Sequence, residues 1–358
     1  MTPRERIIKC IEHQEPDRVP LDGAFRPEIA KKLQQHFGTK DMSQIYDELG
    51  IDWRGGAGMG ASAEFRERCK ASGGSGAIRH PDGSQEDEWG VRTKQILTSS
   101  PYEAFIFQPL KDDETKLKTC RLPDPTRPER WAGIEQRVAE QKKKWYVGAG
   151  VSTLFKAGWH LRGLQNWLAD LVCNEPFVTA LLDRLEEYET YIVRRCAEAG
   201  VDFISMGGDI AMQKTLFMSP ATWRKHFKPR DARILEEAKK RGVKHFYFHT
   251  DGNLWPVMDD LIEIGFDIID PIQPECMNPY EVKEKYGDRI TLHGTISSQH
   301  TLPFGTVDDV RREVEERIRR CGRGGGLVIA PNNVVQYDVP IENLLAVYET
   351  AKQITYPL

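Results

Sequence analysis

The sequence predicts a single (β/α)₈ barrel, a TIM barrel, with a β-rich insertion near its N-terminus. Three observations predict it: short apolar runs alternate with long amphipathic helices from Trp145 to the C-terminus, about eight such runs can be counted, and the residues just past the later runs are polar. Alternation of this kind calls for a parallel sheet, because parallel neighbours need a crossover helix between them, and the strand count favours closure over an open sheet. A length of 358 residues is compatible with one such barrel plus insertions.

The elements follow in order. Pro3 to His13 carries Ile7, Ile8 and Ile11 at helical spacing behind a Thr-Pro start. Val19-Pro20-Leu21-Asp22-Gly23-Ala24-Phe25 reads as a first strand and Arg26 to Phe37 as its helix, and Gly50 to Gly56 reads as the next strand step. Residues 61–128 break the rhythm: they are polar and turn-rich, with a hairpin signal at Pro81-Asp82-Gly83, and are expected to be a β-rich excursion inserted in a barrel spanning 1–358. Later strands are expected at Tyr146–Gly150, Phe203–Gly207, His245–Phe248, Ile268–Ile272, Ile290–His293 and Leu327–Ala330. Helices are expected at Leu164–Cys173, Val178–Ala199, Pro220–Arg241, Leu254–Ile264 and Val307–Arg320.

Composition narrows the function classes. The 50 basic and 54 acidic side chains give a net charge of −4, which argues against nucleic acid as a partner. There is no long apolar run of the kind that crosses a membrane and no secretory pattern at the start, so the chain is expected to be cytoplasmic. The seven cysteines lack CxxC pairing, which indicates neither a disulfide framework nor a zinc ribbon.

Barrel enzymes carry their reacting groups on the loops after the strands. Past the later runs stand Gly208-Asp209, His249-Thr250-Asp251-Gly252, Gln273-Pro274-Glu275-Cys276 and Pro331-Asn332-Asn333. Neutral imidazole, carboxylate and thiolate are zinc ligands, and the same groups move protons. His249, Asp209 and Asp251 are therefore the candidate catalytic set, and His249, Asp251 and Cys276 the candidate metal ligands. His293 directly follows Ile290-Thr291-Leu292 and is as well explained as a core histidine. Phe25, Trp53, Phe155, Trp159, Phe217 and Trp255 are candidate aromatic walls, with core packing as the plainer account of most of them. Phe25, Trp53, Phe155, Trp159 and Asn332 are taken as substrate-binding, with Arg26 and Arg54 as anchors for an anionic group. Two glycine-rich strings carry no such expectation: Gly55-Gly56-Ala57-Gly58-Met59-Gly60 lacks nucleotide-binding spacing, and Gly322 to Gly326 precedes its strand.

His249-Thr250-Asp251-Gly252-Asn253, Glu263-Ile264-Gly265-Phe266-Asp267, Asp270-Pro271-Ile272-Gln273, Tyr286-Gly287, His293-Gly294-Thr295-Ile296 and Pro340-Ile341-Glu342-Asn343, with Asp17-Arg18-Val19-Pro20 near the start, resemble the uroporphyrinogen decarboxylase superfamily. The resemblance implies one of two activities. One branch decarboxylates uroporphyrinogen without a cofactor; the other moves methyl groups to or from a cobalamin carried on a separate corrinoid protein, using zinc. Phe25-Arg26-Pro27-Glu28 stands where decarboxylases carry an arginine-rich RQAGR string, and Pro331-Asn332-Asn333 stands where they carry a His-Gly pair. The methyltransferases show His-x-Cys and a later Cys, where this chain has His249-Thr250-Asp251 and Asn332. The expectation is thus a zinc-dependent methyltransferase that removes the methyl group of a small methoxylated, aromatic substrate and passes it to cob(I)alamin on a corrinoid protein, with a homodimer as one possible assembly. The alternatives are a cofactor-independent decarboxylase of a polycarboxylate and a non-catalytic ligand-binding barrel.

Overall fold

The computed structural model describes residues 1–96 and 102–357; residues 97–101, inside the expected 61–128 excursion, and residue 358 lie outside the described part. Seven parallel strands form one sheet: β1 (Gly55–Gly56), β6 (Val147–Ser152), β7 (Phe203–Gly207), β8 (His245–His249), β9 (Ile268–Asp270), β10 (Thr291–His293) and β11 (Leu327–Val328), in that spatial order. Between β1 and β6 in sequence lies a separate antiparallel sheet of β2 (Ile78–Arg79), β3 (Gln85–Glu86), β4 (Arg92–Ile96) and β5 (Tyr102–Phe107). Its β2–β3 connection is the Pro81-Asp82-Gly83 turn, where Gly83 takes φ 80°, a region that L side chains avoid.

Residues 19–22 join the two edges of the parallel sheet. Leu21 bridges Ile329 in parallel, Ile329 N–H donates to Pro20 at 3.0 Å, and Asp22 N–H donates to Ile329 at 3.0 Å. On the other side Asp52 N–H donates to Leu21 at 2.8 Å. The arrangement is TIM-barrel-like. The expected first strand is reduced to isolated bridges, since Pro20 has no N–H to give to a ladder.

Strand parity decides what faces in. Val147, Ala149, Val151, Ile204, Met206, Phe246, Phe248, Ile269 and Leu292 are buried outward against the helices. The helix Glu175–Glu198 supplies Val178, Leu181, Leu182, Leu185, Ile192 and Val193 to that layer at helical spacing. Each such side chain contributes about 1.5–3 kcal/mol. The opposite parity builds a small inner layer in which Trp53, Tyr146, Phe203 and Tyr247 pack ring to ring, with centroids 5.2–5.9 Å from Trp53.

Two expected helices are broken, each at a proline. The stretch 220–241 divides into Pro220–His226 and Lys228–Lys239 around Phe227, because Pro229 cannot continue the backbone ladder of the first helix. Pro256 likewise leaves a short 3₁₀ turn, Trp255–Val257, before Met258–Ile264. The helix Leu164–Cys173 lies where expected, and β9 ends at Asp270, just before Pro271. No helix among the described residues is long and apolar enough to cross a membrane.

Candidate functional site

Above the aromatic layer the inner wall is made of small residues. Gly148 and Gly150 of β6 and Ser205 and Gly207 of β7 point inward; Gly148 stands against the Phe203 ring, and a side chain on Gly150 would first meet Ser205 Oγ at 3.2 Å. Gly150 is solvent-exposed although it sits in a central strand, and Ser152, Ser205, Gly207, Trp53 and Tyr247 are only half-buried. Barrels ordinarily fill this volume with branched side chains. Here it is left open to solvent, with the Trp53 and Tyr247 rings, inclined at 44° to each other, as its base.

The polar groups stand at the rim of this hollow. Asp209, His249 and Asp251 each place a ligand-type atom within 4.8 Å of the others. Asp209 follows β7, His249 ends β8, and Asp251 is two residues beyond it. Asp251 N–H donates to Asp209 Oδ1 at 2.9 Å, which locks the two loops together. Asn333 donates to Asp251 Oδ2 at 2.6 Å, while Asp251 Oδ1 is buried with no hydrogen-bond partner. Burial, followed by the negative charge of Asp209, pushes the Asp251 carboxyl up to about 6.

His249 is held from behind. Its Nδ1 lies 2.5 Å from Asp270 Oδ2, and because a carboxylate only accepts, Nδ1 carries the proton and Nε2 is left for the rim. The other oxygen of Asp270 accepts from His293 Nδ1, and His293 Nε2 makes an ion-pair contact of 3.1 Å with Asp22, outside hydrogen-bond alignment. Burial alone would discharge His293, but the carboxylates of Asp270 and Asp22 hold it at about 10, an imidazolium at neutral pH. Burial would likewise raise the Asp270 carboxyl, yet the His293 charge and the bonds from both histidines hold it far below the usual range. Desolvation opposes the charge on His249, and the neighbouring carboxylates, Asp270 first, outweigh it and raise its pKa. The result is a chain in which carboxylates and imidazoles alternate, Asp22, His293, Asp270, His249, running along the inner wall to the rim.

A cleft of 440 Å³ opens beside the triad, lined by Arg26, Met212, Gln213, Asp251, Gly252, Gln273, Gln299, Asn333 and Gln336 among others. Asp251 and Arg26, two of the expected residues, thus meet in one cleft. Gly252 shapes it. Its φ of +101° and the Met212 carbonyl, 2.6 Å from where a Cβ would sit, leave no room for a side chain. Gly252→Ala is therefore expected to lower stability by about 1–3 kcal/mol and to dislodge Asp251, read as a lower melting temperature together with weaker metal binding.

Several expected residues are placed elsewhere. The Asn332 amide is buried and committed to Glu275 at 2.8 Å and to Ser298, so Asn333 and not Asn332 reaches the rim. Arg54 bonds the Ile51 and Ser43 carbonyls, pairs with Asp47 at 3.0 Å and lies 4.6 Å over the Trp145 ring, so its guanidinium is committed to the outer wall. Phe155 is fully buried and stacked on Phe217 at 5.8 Å. Phe25 packs against Tyr46 and Tyr348, Trp159 against Phe105, and Trp255 against Tyr286. Trp53 is not at the mouth but at the base of the hollow. Cys276 donates its thiol to Gln273 Oε1 at 3.4 Å and lies outside the 4.8 Å group; burial, then Glu275, pushes that thiol up to about 11, away from the thiolate a metal would need. His293, readable as a core histidine, is buried and also part of the charged chain. Asp22 and Asp270 were missed as site groups; the signal for them was their place one residue past a strand-like run, and the signal for the hollow was the Gly-x-Gly-x-Ser spacing of 148–152.

The model of the family described as Uroporphyrinogen decarboxylase (URO-D) matches residues 137–354, more than half of the chain. The chain belongs to the uroporphyrinogen decarboxylase family. The matched region carries β6 to β11, and with them the triad, Asp270 and His293. Among curated proteins this family member is similar to the Methylcobamide:CoM methyltransferase MtaA of Methanosarcina barkeri, 28% identical over 149 residues, or 42% of this chain and 41% of the relative. MtaA of the Fusaro strain matches equally, at 28% over 149 residues. The match thus spans about two fifths of the length of these relatives. Among solved structures, a methyltransferase from Methanosarcina mazei covers 99% of both chains with a TM-score of 0.66 and 18% identity, a likeness of fold.

Proposed function

We propose that this member of the family is a methyltransferase that takes the methyl group from a small methoxylated aromatic compound and delivers it to cob(I)alamin on a partner corrinoid protein. The observation that carries this reading is the gathering of Asp209, His249 and Asp251 at the rim of a hollow with an aromatic base. The 28% identity to methylcobamide-dependent enzymes supports the corrinoid partner. Within the reading, the chain is a single cytoplasmic barrel with 61–128 as its insertion.

The residues present fit a divalent cation such as zinc. Asp251 Oδ1 is a buried oxygen without a partner, His249 keeps Nε2 free for the rim, and Asp209 completes an imidazole-and-carboxylate set. Bound there, the metal would supply an electrophile for an ether oxygen, whose phenoxide is otherwise a poor leaving group. The chain does the rest. Asp270 fixes the His249 tautomer and ring plane, as carboxylates behind ligating histidines do. Trp53 and Tyr247 offer ring faces to a planar substrate, and the glycine wall lets that ring lie close to the backbone. Among the described residues Arg26 is the one cationic side chain lining the cleft, enough for a single carboxylate and too few for a porphyrinogen with many. An oxygen-rich donor set suits an oxygen-bound methyl better than a thiol acceptor.

Purified protein incubated with cob(I)alamin and a panel of methoxybenzenes and methoxybenzoates is expected to produce methylcobalamin, followed by its visible spectrum. Absence of methylcobalamin with every compound would overturn the reading.

A further inference from the structure

A second concavity lies outside the barrel, against the helix Glu175–Glu198. It measures 760 Å³ and shares no lining residue with the cleft at the mouth. One wall is a helix face with Arg184, Tyr188, Tyr191 and Arg194 at three- and four-residue spacings, and the other is the segment 118–126. Arg184 builds the groove: its two terminal nitrogens donate to the Leu117 and Cys120 carbonyls, the latter at 2.6 Å, and pin that segment over the helix. The pinned segment adds Lys118 and Arg121 to a lining that also holds Arg194.

The charges of this groove are unbalanced. Among the described residues no ion pair involves Lys118, Arg121, Arg184 or Arg194, and Arg194 only covers the Tyr191 ring, at 5.2 Å. Of the two acids in the lining, Asp124 is taken up by the Thr126 backbone and hydroxyl and by Arg127 at 3.7 Å. Glu187 is left against four cations. Unpaired cations around a concave wall focus a positive potential, and guanidinium forks match carboxylate or phosphate oxygens. The floor is apolar and partly flat: Tyr188, itself packed on Trp89 at 4.9 Å, with Tyr191, Leu122, Pro123 and Pro125. Such a floor adds contact to a flat organic body and nothing to a bare ion.

We infer that this groove is a binding site for a small organic anion with a flat apolar body and a phosphate or carboxylate group, gripped by Arg121 and Arg194 across Tyr188 and Tyr191. The inference stands apart from the methyl-transfer reading, since no residue of the mouth takes part.

Titration calorimetry of the full chain with phenyl phosphate, benzoate and inorganic phosphate tests it. At least one of the two aryl anions is expected to bind saturably at one site, about tenfold or more tighter than inorganic phosphate, and the tighter of the two names the preferred head group. The double variant Arg121→Gln/Arg194→Gln changes only surface side chains and is expected to weaken that binding about tenfold or more while leaving methyl transfer unchanged. Equal binding of wild type and double variant would overturn the inference, as would no saturable binding of either aryl anion at millimolar concentrations or inorganic phosphate binding as tightly as both.

Discussion

Protein carrying Asp270→Asn is expected to lose about 3–5 kcal/mol of stability and to fall about 10–100-fold in methyl transfer. Asp270 is the single anion between two imidazoles, both oxygens already accepting. An amide accepts through one atom only, so one histidine loses its partner, and His293 is left charged in a buried place with Asp22 alone for compensation. The effect has a pH signature. His293 is raised from an ordinary 6.5 to about 10 in the folded protein, so its contribution is fully present below pH 6.5 and drains away as pH climbs toward 10. Asp270 is shifted down from an ordinary 3.8, so its contribution is present above that value and lost in acid. The gap between wild type and variant is therefore widest from about pH 4 to 6.5 and narrows toward alkaline pH. Urea unfolding at several pH values measures it. A gap that is flat or widens with rising pH would contradict the charged chain.

In His249→Ala, zinc content is expected to drop from stoichiometric to near zero, and methyl transfer by about 10²–10⁴-fold. His249 supplies the only nitrogen of the triad, and its removal leaves two acids that repel each other, Asp251 already being raised to about 6 beside Asp209. The fold should lose less than in Asp270→Asn. His249 is about two fifths exposed, and Asp270 keeps His293 as its partner. Metal analysis of both purified proteins, alongside the cob(I)alamin assay, separates the two roles: Asp270→Asn is expected to retain part of its zinc, His249→Ala essentially none. Wild-type protein that is metal-free and fully active would remove zinc from the mechanism.

Most of the fold was legible because periodicity survives tertiary contact. The alternation after Trp145 marks β6 to β11, and breaks came only where prolines at 229 and 256 overrode a continuous helical pattern. The triad was legible for a different reason: Asp209, His249 and Asp251 each stand just past an apolar run, and strand ends in a barrel converge. What failed was facing. Asn332 and Asn333 are indistinguishable to a reading that asks only which polar residues follow a strand, yet backbone direction sends one to Glu275 and Ser298 and the other to Asp251. The same uncertainty made Arg54 an anchor for an anionic group when its guanidinium is spent on Asp47 and two carbonyls. Aromatic rings carry no sign of direction either, so Phe155 looked like a wall and is core. The charged chain was missed because Asp22, Asp270 and His293 are far apart in sequence and come together only when the sheet curls.

The glycine-and-serine inner wall separates two properties that most enzymes keep entangled. Packing in this barrel is concentrated in the outer layer, where Val147, Ala149, Val151 and their neighbours meet helices, while Gly150, Ser152, Ser205 and Gly207 touch little. Residues that support nothing can be exchanged without removing support. In the proposed reading the inner face is thus a surface on which substrate preference can be redrawn, one side chain at a time, with the scaffold left as it stands.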